Sequence, residues 1–88
     1  MKAIETKYIP ATNYKDNRIK AYTEGGNSIT IPYPGEYDTE KAHEVAALRL
    51  VSKMGWDKQS WYNGIIGGGT KTGYAWVFVP KGSVINHL

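Results

Sequence analysis

The sequence predicts an α+β fold, a twisted antiparallel sheet of four to five strands (β-β-β-α-β-β) with one helix packed on one face. Three observations lead there. A single segment near the middle repeats apolar residues at helical spacing. The segments before and after it alternate apolar and polar residues with the period of a strand. Glycine and proline clusters punctuate those segments at turn positions. With 88 residues the chain is read as one domain, 1–88, because two separate cores would each be too small to offset their chain entropy.

The first strand is expected in "AIETKY", where Ile4, Thr6 and Tyr8 alternate with Ala3, Glu5 and Lys7. "RIKAYTE" and "SITIPY" alternate likewise. They flank Gly25-Gly26-Asn27, residues that tolerate the positive φ of a hairpin turn. Pro32 and Pro34 close the third strand and place its end at a sheet edge, where a missing N–H costs nothing.

The helix is expected over about 38–54. Asp38 is a suitable N-cap, and Glu40 puts negative charge in the first turn. Ala46, Ala47, Leu50, Val51 and Met54 follow i, i+3, i+4 and i+7 spacing and form one stripe. Gly55 suits the left-handed position that ends a helix, and Trp56 can fold back on the last turn.

A hairpin is expected over about 62–79, from the strands "YNGII" and "GYAWVFV". Tyr74, Trp76 and Phe78 alternate with Ala75, Val77 and Val79, so the last strand is apolar on both sides and reads as covered, at least in part, on both faces. Pro80 ends it, and 80–88 reads as a loosely docked tail. A helix of this length, about 25 Å at 1.5 Å per residue, covers only part of one sheet face. The other face is then polar, aromatic or partnered.

"GGGTKTG" invites comparison with a phosphate loop, but Thr70 separates Gly69 from Lys71 and a strand follows, not a helix. Both differences remove the backbone geometry that holds phosphate. Gly67, Gly68, Gly69 and Gly73 are instead read as suppliers of positive φ for a hairpin turn with Lys71 at its tip.

His43 falls in the middle of the helix stripe and is expected to face the sheet as a structural residue. "HEVAA" begins like a zinc-binding helix, but Ala47 stands where the second ligand belongs. No metal site, cofactor or catalytic constellation is expected. There is no cysteine, so neither a disulfide nor a thiolate enters the chemistry. No apolar run has the length of a membrane span or of a signal-peptide core, and the chain reads as cytoplasmic.

Net charge is +3, spread as +2 over residues 1–34, −1 over 35–54 and +2 over 55–88. The strand regions are therefore basic and the helix acidic. Eleven aromatics, seven of them tyrosine, accompany the basic residues. Lys7, Tyr8, Tyr14, Lys15, Arg18, Lys20 and Tyr22 form one such mixture, and Lys58, Trp61, Tyr62, Lys71, Tyr74 and Trp76 another. Such mixtures serve protein interfaces and single-stranded nucleic acids.

Three blocks, "MKAIETKYIPATNYKDNRIKAYTEGGNSITIPY", "EKAHEVAALRLVSKMGW" and "GGGTKTGYAWVFV", resemble a group of small uncharacterised proteins from phages, prophages and other mobile elements of Gram-negative bacteria. The likeness extends to Val79. It rests on an A-H-x-x-A-A helix start (Ala42, His43, Ala46, Ala47) and on a G-G-G-x-K-x-G-Y hairpin, Gly67 to Tyr74. The element order is also similar to that of some small anti-CRISPR proteins. The resemblance implies a context, and through it an inhibitor of a host defence complex that acts by covering a surface.

The resulting expectation is a non-enzymatic interaction protein with a protein partner. Tyr14, Arg18, Tyr22, Trp61, Lys71 and Tyr74 are its candidate binding residues. The alternative is a small nucleic-acid-binding protein using a basic and aromatic sheet face. A sheet with one bare face also suits a homodimer.

Overall fold

Residues 3–79 are described by a computed structural model of the chain. Ala3–Ile9 forms β1, Arg18–Tyr22 β2, Ser28–Pro32 β3, Thr39–Met54 α1, Ile65–Gly69 β4 and Tyr74–Phe78 β5. All neighbouring strands are antiparallel, in the order β3-β2-β1-β5-β4. The expected α+β architecture is therefore the observed one. β1 sits in the middle and joins the N-terminal three-stranded meander to the C-terminal hairpin. No helix among the described residues is long and apolar enough to cross a membrane.

Alternation decides which side chains meet α1. Ile4 and Thr6 of β1, Ile19 and Ala21 of β2, Ile31 of β3, and Trp76 and Phe78 of β5 are buried. The registers Ile4↔Trp76, Thr6↔Ala21 and Ile19↔Ile31 set them in rows across the sheet. From α1, Ala42, His43, Ala46, Ala47, Leu50 and Val51 descend on these rows. Full burial of a side chain such as Ile4, Ile19 or Leu50 stabilises the fold by about 1.5–3 kcal/mol each. The alanines bring the helix axis close to the sheet, and Leu50 and Val51 fill the space at its far end.

The helix ends follow their sequence signals. The Asp38 carboxylate accepts the Lys41 N–H at 2.9 Å, satisfying one otherwise unpaired amide of the first turn. Gly55 ends the helix at φ 72°, and its N–H returns to the last turn. Trp56 then folds back, its ring edge-on to Phe78 at 5.6 Å between centroids. β3 lies at a sheet edge as its prolines predict.

Three expectations need correction. β5 is not covered on both faces, since Val77 is 44% exposed. The single helix lies on one side only, so the continuous apolar run marks an aliphatic patch at the surface. The hairpin also starts later than expected: β4 begins at Ile65, after a turn in which the Tyr62 N–H donates to the Gln59 carbonyl at 3.1 Å and after Gly64, which takes φ 98°.

The third correction concerns the glycines. None of Gly67, Gly68, Gly69 and Gly73 has positive φ. Instead the Thr70 hydroxyl shapes the turn by accepting the Gly73 N–H at 3.1 Å, while Thr70 N–H donates to the Gly73 carbonyl at 2.7 Å. Gly67 is required by space: it pairs with Trp76, and a Cβ there would stand 2.5 Å from Trp76 Cδ2. Gly73 lets the hairpin approach β1, where a Cβ would run into the Thr6 carbonyl. Gly68 and Gly69 meet no such obstacle. The expected tail, 80–88, lies outside the described residues.

Two glycine substitutions separate these roles. Gly67→Ala should lower the unfolding free energy by about 1–3 kcal/mol, the usual cost of overpacking. Gly68→Ala should leave it unchanged or raise it by up to about 1 kcal/mol, since alanine loses less chain entropy. Urea denaturation of the two variants beside the parent protein measures both.

Candidate binding surface

The same alternation that fills the core leaves a second set of side chains on the helix-free face. These are Ala3, Glu5, Lys7 and Ile9 of β1, Arg18, Lys20 and Tyr22 of β2, Ser28, Thr30 and Pro32 of β3, Ala75 and Val77 of β5, and Ile66 and Gly68 of β4. The face divides by strand. β1 and β2 carry its charges, while the row Ala3–Val77–Ile66 at the other end is aliphatic.

The basic half has an unusual pairing. Lys7 and Lys20 stand directly opposite each other in the β1–β2 register, and like charges so placed repel. Each ammonium group also lies over the Tyr22 ring, at 5.9 and 5.7 Å from its centroid, where the negative face of the ring offsets part of that repulsion. Glu5 pairs with Tyr22 and is the only acid among the strand residues of this face. Partial burial, and then the Glu5 carboxylate, push the Tyr22 phenol above its ordinary value of 10. The Arg18 Nε–H donates to the Asp16 carbonyl at 3.1 Å, which holds the guanidinium at the same end. Among the described residues the one ion pair is Lys41–Glu44 on α1. The three cations of the sheet face thus have no carboxylate partner there.

The six residues singled out in the sequence do not share one surface. Arg18 and Tyr22 belong to this face. Tyr74 is on the helix side, packed on the His43 ring at 4.6 Å and stacked on Trp76. Trp61 is also on that side, edge-on to Phe78 at 5.1 Å, with its outer part exposed. Tyr14 is 93% exposed in the loop between β1 and β2. Lys71 is exposed at the tip of the β4–β5 turn. Lys7 and Lys20, named in the sequence only within the wider basic and aromatic mixture, share this face with Arg18 and Tyr22. Their signal was present in the alternation, but their mutual pairing depends on a register that separate strands do not state.

His43 is 3% exposed and does face the sheet. Its Nδ1 lies 2.8 Å from Thr6 Oγ1, and the Trp76 indole N–H donates to the same oxygen at 3.2 Å. The Thr6 hydroxyl is also 3.4 Å from the Tyr74 carbonyl. One proton on Thr6 can serve either His43 Nδ1 or that carbonyl, and the shorter distance favours the imidazole as acceptor. Burial lowers the His43 value below the ordinary 6.5 and keeps the ring neutral. Among the described residues no three of His, Cys, Asp and Glu converge to hold a metal. Thr6, the hub of the network, was not singled out in the sequence, where it reads as one polar residue in an alternating strand.

A scan against protein-family models found no match, and searches of curated proteins and of solved structures likewise returned none.

The polar core generates two expectations. Thr6→Val removes the acceptor of the Trp76 N–H and should cost about 1–3 kcal/mol in urea denaturation, the penalty of an unsatisfied buried donor. His43 titrates in the unfolded chain near 6.5 and lower in the folded one. Stability is then full above 6.5, and it falls as pH drops below that value until the folded state protonates too. His43→Gln should flatten this decline in unfolding free energy as pH falls below about 6.5.

Proposed function

We propose that the chain is a non-enzymatic interaction protein that docks the helix-free face of its sheet on an acidic protein surface. The observation that carries this reading is the Lys7–Lys20 pair, two cations directly across a strand pair with Arg18 on the same face and, among the described residues, no carboxylate bonded to any of them. Such repulsion is a standing cost in the free protein, and an anionic partner relieves it. Lys20, Arg18 and Tyr22 are already half-buried by their neighbours and so lose little side-chain freedom on binding.

The chemistry of the rest of the face favours protein over nucleic acid. Single-stranded nucleic acid is held by several exposed rings on which bases stack. Here Tyr22 is the one aromatic residue on the strands of this face, and two ammonium groups already lie over it. The aliphatic row Ala3–Val77–Ile66 offers a partner apolar contact instead. On the resemblance to mobile-element proteins, the acidic surface would belong to a host defence complex in the bacterial cytoplasm, and the action would be occlusion. Arg18 and Tyr22 would be anchors of that contact. Lys71 and Tyr14, in exposed loops, would lie at or beyond its rim.

The double charge reversal Lys7→Glu with Lys20→Glu tests the surface. It should weaken retention of the cognate host complex at least tenfold, about 1.4 kcal/mol, while the thermal midpoint stays within a few degrees of the parent. Retention that survives the reversal overturns the proposal. So does tight binding of a single-stranded oligonucleotide that weakens steeply with salt, the signature of released counterions.

A further inference from the structure

The two edges of the sheet are treated differently. At β3, the strand ends in Pro32, and the Lys53 ammonium donates to the Ser28 carbonyl at 2.9 Å. Proline and lysine are standard means of blocking strand addition. At the other edge, β4 is Ile-Ile-Gly-Gly-Gly, with no charge, no proline and no side chain beyond Ile66.

The backbone of β4 is also aimed outward at regular positions. Val79 N–H donates to the Gly64 carbonyl and Thr70 N–H to the Gly73 carbonyl, at 2.9 and 2.7 Å. The alternation of an antiparallel ladder then turns the polar groups of Ile66 and Gly68 towards β5. Those of Ile65, Gly67 and Gly69 point to the free edge, and among the described residues no strand pairs with them.

We infer that β4 is a self-association edge, on which a second copy of the chain adds its own β4 antiparallel about a two-fold axis at Gly67. The pattern of the strand is self-complementary in that register. Gly67 meets Gly67 of the second copy, Ile65 meets Gly69, and Ile66 meets Gly68. Each large side chain faces a glycine, and each outward residue exchanges both of its backbone hydrogen bonds. A two-fold axis normal to the sheet keeps both helices on one side. It also sets the two aliphatic rows Ala3–Val77–Ile66 side by side, offset by two residues, so that Ile66 of each copy lies diagonally across the interface from the other and the rows form one stepped strip. Ile66, 56% exposed in the single chain, lies at the centre of that strip.

Electrostatics permit this partner in spite of the net charge of +3. The nearest charged strand, β1, is separated from its copy by five strand spacings, roughly 24 Å. That is well beyond the screening length of about 8 Å at physiological salt. The charged half of the sheet face stays outside the interface, so this association does not rest on the binding proposed for Lys7 and Lys20.

Sedimentation equilibrium of the full chain over a concentration series tests the inference. The parent protein should move towards twice its chain mass of 9.8 kDa as concentration rises. Ile66→Lys and Gly68→Glu should each remain monomeric, with unchanged circular dichroism. Gly68 has open space for a side chain and an ordinary strand φ, so that variant folds. Mixing the two variants should restore a heterodimer, because residue 66 of one copy faces residue 68 of the other. A parent protein that stays monomeric to millimolar concentration overturns the inference, as does a dimer that survives both substitutions. Amide exchange adds a separate check: strong protection of Gly67 and Gly69 in the dilute monomer would mean that the edge is closed within one chain, and would also overturn it.

Discussion

Trp76 is the residue on which the rest of the structure depends. Its indole fills the space above Gly67 on one side and stands opposite Ile4 on the other, so it ties β4 to β1 through β5. Its N–H reaches Thr6, and Thr6 in turn meets His43 on α1. One ring therefore joins the hairpin, the central strand and the helix. A large aromatic residue buried with a polar tip requires a partner for that tip, and Thr6 meets the requirement at the one point where all three elements converge. The register of β5 against β1 is thereby constrained twice, by apolar packing and by a hydrogen bond. A slip of one residue would turn Trp76 to solvent and leave Thr6 facing a smaller neighbour.

This dependence explains which parts of the fold were legible in the sequence. The helix was, because its signals are local: Asp38 at one end, Gly55 at the other and an apolar stripe between them all act within a few residues. Most strands were legible for the same reason, through alternation and turns. The roles of the hairpin glycines were not. A glycine required by a positive φ and a glycine required by a neighbouring ring look the same in sequence. Gly67 belongs to the second kind, and the deciding atom is on Trp76, across the hairpin. Thr70, whose hydroxyl shapes the turn, was hidden behind the more conspicuous glycines beside it.

The candidate surface was legible in kind but not in membership. Basic and aromatic residues were evident as a mixture, and one bare sheet face followed from having a single helix. Which residues share that face is a matter of strand parity and register. Tyr74 and Tyr22 look equivalent in composition, yet Tyr74 has the parity of Trp76 and packs on His43, while Tyr22 has the parity of Lys20 and faces outward. Lys7 and Lys20 gain their significance only from being paired, a relation between two strands separated by a loop.

The division of the bare face into a charged half and a neutral half follows from the same topology. Placing β1 at the centre separates the meander, which carries Lys7, Arg18 and Lys20, from the hairpin, which carries Ile66 and Val77. Repulsive charge is then kept away from the unguarded edge, and the unguarded edge is kept free of the charges that would block strand addition. Had the hairpin been the charged element, β4 would have been protected as β3 is, and the face would have offered cations alone. The order β3-β2-β1-β5-β4 thus gives the two proposed contacts separate places on 88 residues: the electrostatic one over the meander, and the backbone one along the hairpin edge.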